Sequence, residues 1–250
     1  MNLLDHRKKI YSQFGEEGIV LKLLEMIGEK NRRCVEIGAG DSLHCSNIRH
    51  FCENGWRGLM IEADIDKASI AKKHAPLAAT VLNRAVAPGQ LDRIIRNQNF
   101  PENYDFLSLD VDGDEWWHLK DMEMTPRIVC VEVNPSFDFR TQFVQEQGGM
   151  LGCSLLAMYI LAKQKRYTPV FYDYPNLYLI HDDECPPIFD KVRYLDLACN
   201  NDERLEVASN YRGDLYVWGG LYWGRNSIEA FRPVGYINES WPLKKVLELY

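Results

Sequence analysis

Short apolar segments alternate with amphipathic segments along most of this chain, and no other feature limits its fold as much. Apolar runs of strand length cover residues 33–37, 58–61, 79–82, 105–109 and 128–133, and two further runs cover 168–172 and 176–180. Between them, apolar residues recur at helical spacing over 16–28, 46–54, 67–75, 90–97, 114–123 and 153–165. Strands that alternate with helices predict an α/β fold with a mostly parallel sheet and helices on both of its faces.

Polar residues stand at the carboxyl ends of successive predicted strands. They are 38–41 after the first strand, then Glu62, Asn83, 110–114 and 132–134. In open α/β sheets, ligands bind outside the carboxyl ends of the strands. A purely structural protein has no need for carboxylates at successive strand ends, so this pattern predicts a ligand site at that edge of the sheet.

The segment SLDVDGDEWW, residues 108–117, has aspartates at alternate positions, as a calcium loop does. An EF-hand loop also requires glycine at its sixth position and glutamate at its twelfth. Counted from Asp110, those positions hold Glu115 and Asp121, and Gly113 comes too early. The segment also follows a predicted strand rather than a helix, so we interpret it as the polar end of a buried strand.

A glycine-rich first turn with an acid at the end of the next strand suits the ribose of adenosine, which NAD and S-adenosylmethionine (SAM) both carry. The dinucleotide fingerprint has three glycines and faces a pyrophosphate. Here the stretch EIGAGDS lacks the third glycine and places Glu36 just before the first. Extra carboxylates repel a pyrophosphate but attract the ammonium and sulfonium groups of SAM. The pattern favours SAM; an NAD-linked Rossmann oxidoreductase and a non-catalytic SAM-fold binding or scaffold subunit are the alternatives.

Several motifs, in their order along the chain, resemble class I SAM-dependent methyltransferases of the FkbM-like group. They are VEIGAGDS with SNI, MIEAD, SLDVDGDEWW, VCVEVNPSF and GCSLLAMYILAKQKRY, and SQFGEEGI looks like the lead-in helix of some bacterial members. The resemblance covers residues 11–181 and implies a Rossmann-like, seven-stranded methyltransferase sheet with SAM at its centre. It implies that the cofactor is bound by Glu36, Gly38 and Gly40 (methionine part), Glu62 (ribose), Asn83 (near the adenine) and Asp110 (methionine end). Ser42 stands where the family usually has its third glycine.

The ends of strands four and five also resemble the metal site of cation-dependent O-methyltransferases of the catechol and caffeoyl-CoA type. Asp110, Glu132 and Asn134 offer two carboxylates and an amide oxygen, which suits Mg²⁺ or Mn²⁺. Two features depart from that pattern: one residue separates Glu132 from Asn134, and Gly113 stands where the catechol enzymes have a lysine. In the alternative interpretation, Asp112 and Asn134 cap the helices that follow them or bind SAM, and both interpretations stay open.

Methylation of an unactivated hydroxyl requires a base near the methyl donor. His44 follows the glycine turn and His181 ends the last apolar strand, so both are candidate catalytic residues, together with Asp112. Each histidine also has a structural interpretation, as a loop residue or as the end of a solvated strand. His118 follows two tryptophans within a predicted helix, and we interpret it as packed or exposed.

Composition limits the partners and the compartment. A net charge of −7 gives no electrostatic reason to expect nucleic acid or an anionic membrane as a partner. Charges interrupt the opening MNLLDHRKKI before a signal-peptide core forms, and the longest apolar run, 155–162, is too short to span a bilayer. Seven cysteines without a CxxC pair indicate reduced thiols, so we expect a cytoplasmic protein.

We expect one domain over residues 1–250, with a helical lead-in over 1–30 and an aromatic-rich extension over 200–250. Its aromatic residues suit either a hairpin that covers the core or the wall of a pocket. The expected function is a SAM-dependent O-methyltransferase with a small-molecule substrate. The resemblance implies a sugar or sugar nucleotide, in surface-polysaccharide or secondary-metabolite synthesis, and a homo-oligomer is compatible with the sequence.

Overall fold

A computed structural model describes residues 2–198 and two further strands, Glu206–Ser209 and Leu215–Trp218. The chain divides into two units, Met1–Asn200 and Asn201–Tyr250. In the second unit the two strands form an antiparallel pair. Most of the predicted aromatic-rich extension lies outside the described residues, so its role and the single-domain organisation stay predictions. No helix among the described residues is long and apolar enough to cross a membrane.

The first unit contains one sheet and the helices that cover it. Its strands are β1 Arg33–Ile37, β2 Arg57–Glu62, β3 Ala79–Asn83, β4 Phe106–Leu109, β5 Ile128–Glu132, β6 Tyr167–Asp173 and β7 Asn176–His181. Its helices are α1 Glu16–Ile27, α2 Arg49–Glu53, α3 Ile65–His74, α4 Leu91–Asn97, α5 Glu115–Asp121, α6 Leu155–Gln164 and α7 Tyr194–Ala198, with short 3-10 helices at Leu3–His6 and Pro187–Phe189.

The strand order is β3-β2-β1-β4-β5-β7-β6. Strands β1 to β5 run parallel, and β7 lies between β5 and β6 and is antiparallel to both. This arrangement confirms the predicted Rossmann-like, seven-stranded sheet of SAM-dependent methyltransferases. The parallel strands define two edges: the carboxyl edge, where β1 to β5 end, and the amino edge, where they begin.

Alternate residues of the strands face two separate hydrophobic clusters. Val35, Leu107 and Val129 pack on the face covered by α4, α5 and α6, whereas Cys34 and Phe106 pack on the face covered by α1 and α2. Because strand neighbours alternate between faces, Glu36 lies on the α1–α2 face. The register aligns it with Ser108 of β4, so a polar row occupies that face near the carboxyl edge.

The lead-in before α1 is held against the carboxyl edge by specific contacts. The buried Glu17 carboxylate accepts hydrogen bonds from the backbone N–H groups of Tyr11 and Ser12, at 2.6 and 2.7 Å. A Cβ on Gly18 would lie 2.1 Å from the carbonyl oxygen of His6, so only glycine permits this packing. Arg7 donates to the buried Asp173 at the end of β6. The lead-in therefore belongs to the wall of the carboxyl edge.

Helix α2 begins at Arg49, three residues later than the predicted start at 46. The hydroxyl of Ser46 and the backbone N–H of Asn47 both donate to Glu36 of β1. These bonds keep the segment before α2 in an extended loop over the end of β1. The later start of α2 thus results from the hydrogen bonds that Ser46 and Asn47 make with Glu36.

Candidate functional site

The turn after β1 depends on glycine. Gly38 has a φ of +80°, and a Cβ there would lie 1.7 Å from the carbonyl oxygen of Asp110 at the end of β4. No side chain fits such an approach. Gly40, with a φ of +55°, donates its N–H to the Glu62 carboxylate at 2.7 Å. The two predicted glycines therefore bring the ends of three neighbouring strands together.

Glu62 and Asn83 lie side by side at the ends of β2 and β3. One oxygen of Glu62 accepts from Gly40 and the other from the backbone N–H of Asp64, each at 2.7 Å. The Asn83 amide donates to the carbonyl oxygens of Glu62 and Ala63, each at 3.0 Å. A carboxylate oxygen can accept more than one hydrogen bond, so Glu62 keeps capacity for a ribose hydroxyl. The cofactor contacts of both residues stay predictions.

Glu36 is buried, and both of its oxygens point into the loop before α2. They accept from the Ser46 hydroxyl at 2.7 Å and from the Asn47 N–H at 2.5 Å. Burial raises the pKa of Glu36 to about 8. The charge argument from the sequence did not anticipate this raised pKa.

Three carboxylates, here named the carboxylate cluster, meet after β4 and β5. Single oxygens of Asp110, Asp112 and Glu132 all lie within 4.8 Å of one another. Burial, the nearby Asp110 charge and a hydrogen bond with Asp110 raise the pKa of Glu132 to about 9. The pKa of Asp110 is also raised, chiefly because surrounding protein withdraws its carboxyl from water, although the residue keeps exposed surface. The Asp110 charge beside Glu132 thus disfavours ionisation of the Glu132 carboxyl.

Glu115 shapes the turn that carries Asp112, a role that the sequence analysis missed. Its carboxylate accepts from the N–H groups of Val111 at 2.8 Å and Gly113 at 2.9 Å. Burial raises its pKa. Asp112 has a φ of +58°, in the left-handed region that Asp tolerates better than most residues. The sequence did contain a signal for this role: Glu115 is an acid in the first turn of α5 and follows a turn that contains glycine.

Glu16 is a second acid at the carboxyl edge that the sequence analysis did not select. It is buried at the start of α1 and accepts from the Asn176 amide at 3.0 Å and from the Phe14 N–H at 2.7 Å. Asn176 begins β7 and pairs with Glu132, so Glu16 lies beside the end of β5. The motif SQFGEEGI contained this residue, but its position depends on the fold.

Asn134, predicted as a metal ligand, anchors the loop that follows β5. Its amide nitrogen donates to the Leu151 carbonyl at 2.8 Å, and its amide oxygen accepts from the Ser136 N–H at 2.9 Å. The helices α5 and α6 have Asp114 and Ser154 as N-cap residues. The alternative that Asp112 and Asn134 cap these helices is therefore wrong.

The β5–α6 loop, residues 133–154, folds back onto the carboxylate cluster. Asp114 accepts from the Gly148 N–H at 2.9 Å, and the Trp117 indole donates to the Gln145 carbonyl at 2.9 Å. A Cβ on Gly113 would lie 2.4 Å from the Gly149 carbonyl oxygen, so the loop packs directly on the aspartate turn. The local sequence pattern did not predict that the β5–α6 loop packs on this turn.

His181 was a candidate base, and its position in the fold contradicts that role. Because β7 is antiparallel to β5, its last residues lie at the amino edge: Ile180 pairs with Ile128, the first residue of β5. At about 3.4 Å per residue, His181 is roughly 15 Å from the carboxyl edge. The sequence showed that His181 ends a strand but not the direction of that strand.

His44 lies in the loop after the glycine turn, as predicted, with 79% of its side chain exposed. Its Nδ1 is 2.9 Å from the Asp41 carboxylate. His118 is buried, and burial lowers its pKa, which agrees with the packed interpretation. Of the predicted histidines that the structure describes, His44 is therefore the one at the carboxyl edge.

No family model and no curated protein matches this sequence, so the FkbM-like resemblance stays a prediction. Among solved structures, a TehB-like SAM-dependent methyltransferase from Corynebacterium glutamicum is 12% identical, with 72% of this chain and 92% of that chain covered and a TM-score of 0.45. A magnesium protoporphyrin IX methyltransferase from Synechocystis with bound SAH is 10% identical, with 66% and 79% covered and a TM-score of 0.45. A SAM-dependent methyltransferase from Aquifex aeolicus is 11% identical, with 65% and 89% covered and a TM-score of 0.39. Likenesses this distant carry no argument about substrate or chemistry.

Proposed function

We propose that this chain is a SAM-dependent O-methyltransferase that acts on a hydroxyl of a small polar acceptor. The observation that carries the proposal is the group of acids around the glycine turn at the carboxyl edge. None of Glu36, Asp110, Glu115 and Glu132 has an ion pair with a Lys or Arg within residues 2–198, and their pKa values are all raised. Acids held in this way favour a cationic ligand.

The same charges argue against an NAD-linked oxidoreductase. A dinucleotide places a pyrophosphate at the turn after β1, on backbone N–H groups. Here the N–H of Gly40 already donates to the Glu62 carboxylate, and the carboxylate cluster lies after the neighbouring strand. A pyrophosphate at this turn would face negative charge, whereas the ammonium and sulfonium of SAM would face opposite charge.

The donor set also fits Mg²⁺ or Mn²⁺, as the cation-dependent part of the proposal requires. Carboxylate oxygens are the ligands that both ions prefer, and the Asp110 charge that raises the pKa of Glu132 is one that a cation would offset. Asp112 joins Asp110, Glu132 and Asn134 in the proposed ligand set, because its oxygen lies with those of Asp110 and Glu132. When bound, such an ion would lower the pKa of an acceptor hydroxyl.

The acceptor class comes from the sequence resemblance. A sugar or sugar nucleotide, in surface-polysaccharide or secondary-metabolite synthesis, agrees with an open site lined by carboxylates, because sugar hydroxyls donate hydrogen bonds to such groups. The exposed Met150 and Leu151 of the β5–α6 loop offer apolar surface beside these acids. Acceptor identity and regiochemistry would follow from a screen with labelled SAM.

The test is calorimetric titration of the protein with SAM, first in EDTA and then with Mg²⁺ or Mn²⁺. We expect binding in EDTA, weakened by about tenfold to a hundredfold in Asp110→Asn, because a hydrogen bond to a charged group contributes about 1.5–3 kcal/mol. Asp121→Asn, an exposed acid at the end of α5, is the matched control and should bind SAM as the wild type does.

Each other outcome selects a different function. Absence of SAM binding under all conditions would refute the proposal, and binding of a nicotinamide cofactor would replace it with the oxidoreductase. SAM binding without methyl transfer to any acceptor, together with a stable partner protein, would favour the scaffold subunit. A saturable metal heat that Asp112→Asn removes would support the cation site.

A further inference from the structure

Asp41 and His44 form a hydrogen-bonded pair in the loop that follows the glycine turn. One oxygen of Asp41 accepts from the backbone N–H groups of Leu43 and His44, each at 2.8 Å. The other oxygen lies 2.9 Å from Nδ1 of His44. Partial burial raises the pKa of Asp41, but the hydrogen bonds from His44 and Leu43 together outweigh it, so the pKa lies below its ordinary value. The carboxylate is therefore held in one orientation by three nitrogen atoms.

This pairing determines which nitrogen of His44 carries the proton. An ionised carboxylate only accepts hydrogen bonds, so the nitrogen next to it must be the donor. In the neutral ring Nδ1 is then protonated, and Nε2 is left with its lone pair. Because 79% of the side chain is exposed, this lone pair is available to a ligand rather than to the protein core.

The loop that carries His44 lies at the carboxyl edge, because it begins at the glycine turn and ends on Glu36 of β1. Burial raises the pKa of the neighbouring Cys45 thiol; the Glu16, Asp41 and Asp110 charges act in the same direction, and Lys9 acts in the opposite one. The hydrogen bonds from Ser46 and Asn47 to Glu36 fix the end of the same loop on β1. His44 thus projects from a short segment between the glycine turn and the residues anchored on Glu36.

We propose that His44 is the general base for methyl transfer and that Asp41 is its positioning residue. The inference rests on the proposed function and deepens it, because it assigns the proton acceptor that the site requires. With His181 at the amino edge, His44 is the remaining candidate histidine from the sequence, and its exposed Nε2 can accept a proton at the carboxyl edge.

The step balances as follows. Nε2 takes the proton of the acceptor hydroxyl, and the oxygen lone pair forms the new bond to the methyl carbon. The carbon–sulfur bond breaks with its electrons on sulfur, which leaves a neutral thioether. The His44 imidazolium, stabilised by the Asp41 carboxylate, then releases its proton to solvent. No oxidant, reductant or further reactant is required.

The decisive variant is Asp41→Asn. Its side-chain oxygen can still accept from the backbone of Leu43 and His44, so the loop should keep its shape, but the amide nitrogen would then face Nδ1. An amide N–H donates, so Nδ1 becomes the acceptor and Nε2 takes the proton. Asp196→Asn is the matched control, because Asp196 also accepts from a backbone N–H and a side chain three residues away, and lies on α7.

The first readout is the tautomer of His44 by ¹⁵N NMR, which needs no acceptor. We expect the Nδ1-protonated form in the wild type and in Asp196→Asn, and the Nε2-protonated form in Asp41→Asn. The second readout is the rate at which diethyl pyrocarbonate modifies His44. SAH should slow this reaction at His44 and leave the exposed His74 unchanged.

The third readout is SAH formation with a mixture of nucleoside diphosphate sugars as the probe. Asp41→Asn should lower this rate by about a hundredfold, the lower end of the range for loss of a general base, and the variant should still bind SAM. SAH that binds without protecting His44, a wild-type tautomer protonated at Nε2, or an equal rate in Asp41→Asn and Asp196→Asn would each overturn the proposal. Failure of SAM to bind at all would instead refute the proposed function.

Discussion

The two edges of the sheet treat their acids in opposite ways. At the amino edge, Asp105 is fully buried and accepts from the N–H groups of Lys30, Asn31 and Arg32 and from the Arg127 guanidinium at 2.7 Å. Arg127 also binds Glu184 at 3.0 Å, and this contact lowers the pKa of Glu184. Each of these acids has a cation beside it.

At the carboxyl edge, Arg7 pairs with Asp173, but Glu36, Asp110, Glu115 and Glu132 have no Lys or Arg partner among residues 2–198. Glu36 and Glu132 have pKa values raised to about 8 and 9, so the ligand-free protein holds protons there that the unfolded chain would release. Burial of a carboxylate without an opposite charge is unfavourable unless it is neutralised. The comparison teaches that ionic pairing at one edge stabilises the fold, whereas the unpaired acids at the other are suited to a cationic ligand.

The largest effect should come from breaking the pairing at the amino edge with Arg127→Met. This change leaves Asp105 buried without its cation, which typically lowers the free energy of unfolding by about 3–5 kcal/mol. Urea denaturation would measure the loss. Arg166→Met, which breaks an exposed pair with Asp183, is the control and should lower it by less than about 1 kcal/mol. Equal losses in the two variants would remove the distinction between the edges.

A smaller effect, of opposite sign, should follow from neutralising the carboxyl edge with Glu36→Gln. The folded pKa of Glu36 is about 8 and its ordinary value is 4.5, so its contribution to stability is present below pH 4.5 and is lost as the pH rises through 8. Glutamine does not titrate and can still bind Ser46 and Asn47. The variant should therefore be more stable than the wild type at pH 9. One pKa unit corresponds to about 1.4 kcal/mol, and after allowance for relaxation of the folded protein we expect a difference of about 2–3 kcal/mol.

Urea denaturation of both proteins at pH 5, 7 and 9 would measure this pH dependence. The exposed Glu25 on the same helix face as Lys22 supplies the control: Glu25→Gln should show no such trend. A difference between Glu36→Gln and wild type that stays constant with pH would mean that Glu36 ionises normally in the folded protein.

The residues at the strand ends of this site could be predicted from the sequence, because the carboxyl ends of parallel strands lie at one edge of the sheet. Gly38, Glu62, Asn83 and Asp110 were all placed there from alternation alone, and the structure puts each at the end of its strand. These inferences needed only local periodicity and one general rule about α/β sheets.

The remaining features depend on long-range packing that local periodicity does not contain. His181 was misplaced because the direction of β7 depends on the tight turn that joins it to β6 rather than on its own residues. Glu16 reaches the site only because the lead-in packs on Asp173 and Asn176. Similarly, the β5–α6 loop covers Gly113 through contacts with residues far away in sequence.

The smallest expected effect tests whether a cation completes the carboxyl edge in the way that Arg127 completes the amino edge. Mg²⁺ or Mn²⁺ at about ten times its dissociation constant should stabilise the ligand-free protein by about 1.4 kcal/mol, which for a domain of this size raises the thermal midpoint by about 3–6 °C. Asp112→Asn should abolish the shift, and the fold should persist because asparagine tolerates the positive φ at this position. Asp121→Asn should retain it. An equal shift in NaCl of matched ionic strength, or in Asp112→Asn, would mean that general screening and not a bound ion relieves the repulsion among the three carboxylates.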